Sequence, residues 1–246
     1  MIDFNNLPCK DKIYFQDDSA VIYCADCKDI LPYFPGKCFG LVLTDPPYGI
    51  NFVPQRVSSR EKHGDIPIAN DELNGAEWLD WFHPLNELIY SKLKDNSVAY
   101  YFSGFNPYYY YYYYSMLNVG YEIKANLIWV KEIFGMGYHF RRQYEQILVG
   151  FKGSPLVPKQ AMSDVIFSNR VNSKTILHSC QKPEELINKL ALQYTNTDSL
   201  IFDPFLGSGT TTYCANKLNR KSIGIEISEK YCKIAKNRLA QYVMKL

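Results

Sequence analysis

Leu200-Ile201-Phe202-Asp203-Pro204-Phe205-Leu206-Gly207-Ser208-Gly209-Thr210-Thr211 reads as a short apolar strand running through a glycine turn into a helix. Glycines let a backbone approach a ligand closely, and the first turn of a helix presents N–H groups that have no intrahelical partner. A dinucleotide fingerprint would need a third glycine where Thr212 stands, and a phosphate-binding loop would need a Gly-Lys-Ser/Thr sequence that is missing. Glu226 closes the next apolar run, 19 residues after Gly207, where an acid can accept both hydroxyls of a ribose. A nucleoside cofactor without a pyrophosphate therefore suits this segment better than NAD. The plainer alternative is a tight strand–helix turn with no ligand.

Outward from this segment, apolar runs alternate with stretches of helical period. Residues 21–24, 40–43, 97–102, 121–130, 144–151, 200–203 and 222–226 read as strands. Residues 76–93 place Trp78, Leu79, Phe82, Leu85, Leu88 and Ile89 at helical spacing, and Pro183 suits the first turn of a helix reaching about Tyr194. Residues 211–218 and 229–243 supply two more helices. This alternation predicts an α/β fold, a mostly parallel sheet with helices on both faces. Residues 51–75 and 152–177 break the rhythm, as functional or mobile loops do. Tyrosines 108–114, seven in a row, read as a structural or incidental run, since aromatic rings ordinarily bury in cores.

A second constellation is Leu41-Val42-Leu43-Thr44-Asp45-Pro46-Pro47-Tyr48, an apolar strand ending in a carboxylate, two prolines and an aromatic ring. Open α/β sheets bind ligands at the carboxyl ends of their strands. There a carboxylate and the Pro46 carbonyl can each accept a hydrogen from an amino group. Prolines fix the turn and remove competing donors, and tyrosine offers a flat face to a planar ring. Together these make a cradle for the exocyclic amine of a base. A proline-rich turn with a capping Asp and a packing Tyr is the structural alternative.

Composition sets the outer bounds. The 246 residues are 47% hydrophobic and 21% charged, a globular balance that excludes wholesale disorder. No run approaches the roughly 18 apolar residues of a membrane span, and residues 1–16 lack the apolar core of a secretory signal, so a cytoplasmic protein is expected. Seven scattered cysteines read as reduced thiols, and Cys24 and Cys27 lack the second ligand pair that a zinc site needs, so no metal is expected. Net charge is only +2, but residues 131–182 hold eight bases against three acids, or +5, leaving −3 for the rest. A basic segment on a near-neutral body is the footprint of phosphate contacts.

Asp45-Pro46-Pro47-Tyr48 and Asp203-Pro204-Phe205-Leu206-Gly207-Ser208-Gly209 resemble the catalytic and cofactor motifs of the AdoMet-dependent DNA amino-methyltransferases. Their order, catalytic motif first, resembles that family's permuted β class. His178-Ser179-Cys180-Gln181-Lys182-Pro183 and Ala25-Asp26-Cys27 are similar to further family segments, with Ala25 where a glycine is usual. The resemblance implies a Rossmann-like methyltransferase fold over residues 1–246 as a single domain. A catalytic half spans 1–130, a target-recognition segment 131–182 and a cofactor half 183–246. It implies S-adenosyl-L-methionine held by Asp26, Lys182, Asp203, Phe205, Gly207, Ser208, Gly209, Thr210 and Glu226. Asp45, Pro46, Pro47 and Tyr48 would be catalytic, while His178 reads as structural.

The implied partner is double-stranded DNA, whose target base must be flipped out to expose its amino group. An Asp opening the catalytic motif, where cytosine-N4 members often have Ser, favours adenine N6; cytosine N4 is the alternative. RNA methylation or a non-catalytic nucleotide-binding module would be a different class. Arg141, Arg142, Lys152, Lys159, Arg170 and Lys174 are candidate DNA contacts, as are Arg56 and Arg60 in residues 51–75, a loop expected to be mobile without DNA. A cognate restriction endonuclease and homodimers match family habit, although no heptad or interface pattern supports a dimer.

Overall fold

The computed structural model describes residues 2–51, 68–104, 109–135, 139–158, 160–171 and 181–243. In chain order the elements are β1 (Ile13–Gln16), β2 (Ala20–Cys24), α1 (Cys27–Ile30), β3 (Phe39–Thr44), α2 (Gly75–Lys92), β4 (Leu93–Gly104), α3 (Tyr109–Val119) and β5 (Glu122–Val130). There follow β6 (Tyr144–Lys152), β7 (Val165–Phe167), α4 (Glu184–Tyr194), β8 (Leu200–Asp203), α5 (Thr210–Lys217), β9 (Lys221–Glu226) and α6 (Glu229–Val243). The nine described strands form one sheet in the order β1-β2-β9-β8-β3-β4-β6-β5-β7. Its centre, β2 through β4, is parallel, while β1 and β6 pair antiparallel with their neighbours.

Side chains alternate across the sheet with the period of two that strands impose. On β4, Ala99 and Tyr101 join a core with Trp78, Phe82 and Ile89 of α2 and Tyr112 and Met116 of α3. Val98, Tyr100 and Phe102 point to the other face, where Leu186, Ile187 and Leu190 of α4 and Cys214 and Ala215 of α5 cover them. Cys232, Ala235 and Leu239 of α6 close a third cluster over Ala20 and Ile22 of β2. Helices on both faces explain why the central strands are apolar throughout rather than alternating with polar residues.

Four elements lie outside the segments expected from periodicity. β1 is half-exposed along its length, so no apolar run marks it. β7 is three residues within a polar stretch, and α1 is a single turn capped by Asp26. α3 is built from the tyrosine run, whose identical residues carry no period to read. Pro183 stands one place outside α4 as its extended N-cap, at φ −64° and ψ 136°.

The topology creates the site. β8 and β3 are parallel neighbours, paired Leu41 to Ile201 and Val42 to Phe202. From β8 the chain leaves through α5 on one face to reach β9, and from β3 through α2 on the other face to reach β4. Diverging connections of this kind open a crevice at the carboxyl ends of the two strands. Both sequence motifs fall there, at Asp45 and at Asp203.

Candidate active site

Two strand ends are tied together at the floor of the crevice. Thr44 Oγ1 donates to Asp203 Oδ1 at 2.8 Å, and the amide of Phe205 donates to the same oxygen at 3.1 Å. Asp203 is buried, and that burial pushes its carboxyl up to about 6 in spite of these donors. Its contacts fasten the glycine loop to the end of β3.

The glycine loop folds back on the end of β9. Gly207 N donates to Glu226 Oε2 and Ser228 N to Glu226 Oε1, each at 2.8 Å. Burial nevertheless pushes Glu226 up to about 7. A Cβ built on Gly207 meets no described atom within 4 Å, so the loop's open side faces space beside this carboxylate. Gly209 does the opposite: a Cβ there would lie 2.6 Å from that of Ala235, so only glycine lets α6 pack this closely. Ser208 and Thr210 are fixed from α6, because Arg238 Nη1 donates to Ser208 O at 3.2 Å and to Thr210 Oγ1 at 2.9 Å. The other arm of Arg238 lies 3.3 Å from Glu184 on α4.

Asp26 is delivered to the same edge by strand pairing. β2 runs beside β9 with Cys24 opposite Glu226, and Ala25 N donates to Glu226 O at 3.0 Å. Asp26 Oδ1 accepts from Lys28 N at 2.9 Å as the cap of α1. Phe205 and Trp81 bring their rings within 6.0 Å, with the Lys28 ammonium 5.3 Å from the Trp81 ring. In the sequence nothing marks Trp81 beyond its place within residues 76–93.

Asp45, Pro46, Pro47 and Tyr48 form a turn held rigid from three sides. The Pro47 carbonyl accepts from Trp78 Nε1 at 3.0 Å and from the hydroxyl of Tyr112 at 2.6 Å, which also lies 3.4 Å from Pro46 O. One ring of the tyrosine run therefore braces the Asp45–Tyr48 turn, while Tyr110 and Tyr114 are exposed. The second brace is the buried Asp71, whose Oδ1 accepts from the amides of Tyr48 and Gly49 at 2.9 Å each and from Ile50 at 3.5 Å. Behind the Tyr48 ring stands Gly104, at φ +66°; a Cβ there would sit 2.8 Å from Tyr48 Cε2.

The Asp45 carboxylate is the centre of a charged chain. Tyr48 donates its hydroxyl to Oδ1, and the Lys182 ammonium pairs with Oδ2. Lys182 Nζ is also 3.3 Å from Tyr48 Oη and 3.5 Å from Glu145 Oε2, and Glu145 pairs with Lys131. Lys182 thus stands on the Asp45 carboxylate. Burial raises Asp45, against the opposing pull of Lys182, and burial with the Asp45 charge raises Tyr48 well above the phenol range. Burial would also raise Glu145, but Lys182 and Lys131 outweigh it and hold Glu145 below its ordinary value. Neither Glu145 nor Lys131 carried any signal in the sequence beyond its charge.

The candidate DNA contacts separate by burial. Arg141, Arg142 and Arg170 are exposed, and Arg141 lies over the Phe134 ring at 4.2 Å beside Phe140, which is 97% exposed. Lys152 corrects the expectation: it is buried, and its ammonium donates to Tyr90 O at 2.6 Å and Leu93 O at 2.7 Å. With Lys131 and Lys182 also buried, three of the eight bases in residues 131–182 do not form a surface field. Arg56, Arg60, Lys159, Lys174, His178 and Cys180 lie outside the described residues, as does most of the loop of residues 51–75 expected to be mobile. Among the described residues, no helix is long and apolar enough to cross a membrane.

Comparison with known proteins adds to this geometry. Type II methyltransferase M.HpaI of Haemophilus parainfluenzae is 25% identical over 242 residues, spanning 89% of this chain and 73% of the relative. The solved M1.HpyAVI–SAM complex superposes with a TM-score of 0.67 at 23% identity, covering 89% of this chain and 98% of that one. The PvuII DNA methyltransferase (cytosine-N4-specific) superposes with a TM-score of 0.72 at 18% identity, covering 92% and 88%. The fold is the Rossmann-like α/β fold of these methyltransferases, with its two motifs in permuted order. A family model described as DNA methylase, N6_N4_Mtase, matches residues 39–237, from β3 through the glycine loop into α6, and the chain belongs to that family.

Proposed function

We propose that this protein methylates the exocyclic amino group of a base flipped out of double-stranded DNA, with adenine N6 as the target and S-adenosyl-L-methionine as the donor. The carrying observation is that the Asp45–Tyr48 turn and the glycine loop meet at one crevice, tied by Thr44 and Asp203. The open side of Gly207 beside the paired oxygens of Glu226 suits a ribose, and Phe205 with Trp81 offers flat apolar surface next to it. When bound, the cofactor supplies an activated methyl group.

The protein's own groups do the positioning. The Tyr48 ring stacks on the extruded base, supported from behind by Gly104. Asp45 and the Pro46 carbonyl accept the two amino hydrogens, which turns the nitrogen lone pair out of conjugation and towards the donor. Pre-organised acceptors in a largely buried site give such a transfer most of its advantage through orientation and charge complementarity. Asp at the head of the motif supports adenine over cytosine N4. Exposed Arg141, Arg142 and Arg170 would meet phosphates, and the type II relatives support a restriction–modification setting.

The deciding experiment incubates the protein with S-adenosyl-L-methionine and mixed-sequence DNA, digests to nucleosides and weighs them. N6-methyladenine is the expected product; N4-methylcytosine would transfer the mechanism to the other amine, methylated RNA alone would move the substrate class, and no product would sink the proposal. Asp45→Ala should abolish transfer while cofactor affinity survives. If both fall together, Asp45 is a structural residue.

A further inference from the structure

Both oxygens of Asp45 already carry donors, the Tyr48 hydroxyl on one and the Lys182 ammonium on the other. A substrate amine must therefore displace or share with one of them. Lys182 has somewhere to go. Glu145 Oε2 is a fully buried oxygen with no hydrogen-bond partner among the described residues, and it lies 3.5 Å from Lys182 Nζ. The other oxygen of Glu145 is held by Lys131. We infer that Lys182 is handed from Asp45 to Glu145 when the target amine arrives, which makes Glu145 a positioning residue for the reaction. The inference rests on the reading that Asp45 receives that amine.

Three observations support the handover. Glu145 Oε2 is buried and has only the long 3.5 Å ion pair to Lys182, and a poorly satisfied buried carboxylate oxygen is costly, so a state that shortens this contact has a driving force. The displacement is small, because a charge-assisted N–H···O contact is complete at about 2.7–2.9 Å. The path is also apolar and receptive to a cation: Lys182 Nζ lies 5.0 Å from the Phe102 ring and 5.6 Å from the Tyr48 ring. Charge is balanced throughout, with Lys131 and Lys182 facing Asp45 and Glu145 whichever carboxylate Lys182 favours.

The placement of Glu145 links this event to the exposed basic surface. Lys131 follows β5 and Glu145 lies on β6, at the root of the segment that carries Phe134, Phe140, Arg141 and Arg142. The root is closed by Lys131 N donating to Gln143 O at 2.8 Å and Gln143 Nε2 donating to Lys131 O at 3.0 Å. A DNA contact on that surface is thus mechanically adjacent to the acceptor that draws Lys182 away.

The test is Glu145→Gln in the full chain, with Glu145→Asp beside it. The glutamine offers Lys182 a weaker acceptor, so kcat should fall roughly tenfold or more while cofactor affinity stays near wild type. The thermal midpoint should drop as well, because buried Lys131 loses its counter-charge, so rates are compared well below both midpoints. Glu145→Asp should recover part of the rate because the charge is kept. The pH profile gives a readout that a merely structural role would not move. Asp45 faces Lys182, Tyr48, Glu145, Asp203 and Tyr112, and Glu145 raises it. Removing that charge, and leaving Lys182 on Asp45, both lower the Asp45 pKa, so the acid limb should move to lower pH. A kcat within about twofold of wild type overturns the inference. So does an unmoved acid limb with Glu145→Asp as slow as Glu145→Gln. Failure of the underlying reading looks different: the wild-type enzyme itself yields no methylated base, or Asp45→Ala still transfers.

Discussion

Asp71 concentrates three consecutive amide donors on one carboxylate oxygen, so the turn after Tyr48 has its N–H groups gathered to a single buried point. Its own carbonyl accepts from Asn51 N at 2.6 Å, which fixes the following residue as well. Hydrogen bonds to a charged group are worth about 1.5–3 kcal/mol, and removing the acceptor leaves the donors stranded. Asp71→Ala should therefore cost about 2–4 kcal/mol of folding stability by urea titration, with a fall in kcat well beyond any change in cofactor affinity. Asp71→Asn, which retains an acceptor oxygen, should fall between. Wild-type kcat in the alanine variant would show that Tyr48 holds its place without this brace. Such a residue is invisible in sequence because its partners are backbone amides more than twenty positions away. Asp45, Tyr48, Gly207 and Glu226 are legible for the opposite reason: contiguous motifs and strand ends announce them. Lys182 is in between. Its neighbourhood was readable, but its contact with Asp45 spans 137 positions and needed the fold.

At the level of elements, α6 does more than cover the sheet. Its Arg238 is buried and grips the glycine loop at Ser208 and Thr210 while reaching Glu184 on α4. Arg238→Met keeps much of the apolar bulk but loses the fork, so the loop loses its anchor and α4 its cross-link. Cofactor affinity should weaken by roughly tenfold, equivalent to about 1.4 kcal/mol, with kcat at saturating cofactor nearly unchanged. Calorimetry on the variant checks this, and an unchanged dissociation constant would mean that the loop is held by Asp203 and Glu226 alone. The tyrosine helix α3 carries the same lesson about elements. Its composition hides any period, yet the fold selects Tyr112 to pack its ring at a tilt against Trp78, centroids 4.4 Å apart, and donate to the Asp45–Tyr48 turn. Strands β2, β3, β8 and β9 were legible because burial on both faces demands apolar runs. β1 and β7 lie at the sheet margins, where that demand is absent.

For the whole molecule, the placement of charge matters more than its sum. Residues 131–182 carry +5, but Lys131 and Lys182 face inward to Glu145 and Asp45, so part of the apparent DNA footprint is internal wiring of the site. Burial of acids has a further global consequence. Glu226 sits at about 7 and Asp203 at about 6, against 4.5 and 3.8 for the free side chains. The folded chain thus binds these protons more tightly than the unfolded chain. Their contribution to stability is complete below the unfolded values, near pH 4, and is lost as pH rises through about 6 to 7. Glu226→Gln cannot make this transition, so the stability of the cofactor-free variant should decline less than wild type between about pH 5 and pH 8 in urea titrations. Cofactor affinity should move the other way in the wild type, because ribose hydroxyls donate better to an ionised carboxylate. Binding should tighten as pH rises through about 7 and stay weak and nearly flat in Glu226→Gln. Parallel stability slopes in the two proteins would remove Glu226 as the titrating group. A wild-type affinity independent of pH would remove it as the ribose acceptor. Because the same carboxyl holds Gly207 and Ser228, one protonation should trade the stability of the empty protein against its grip on the methyl donor.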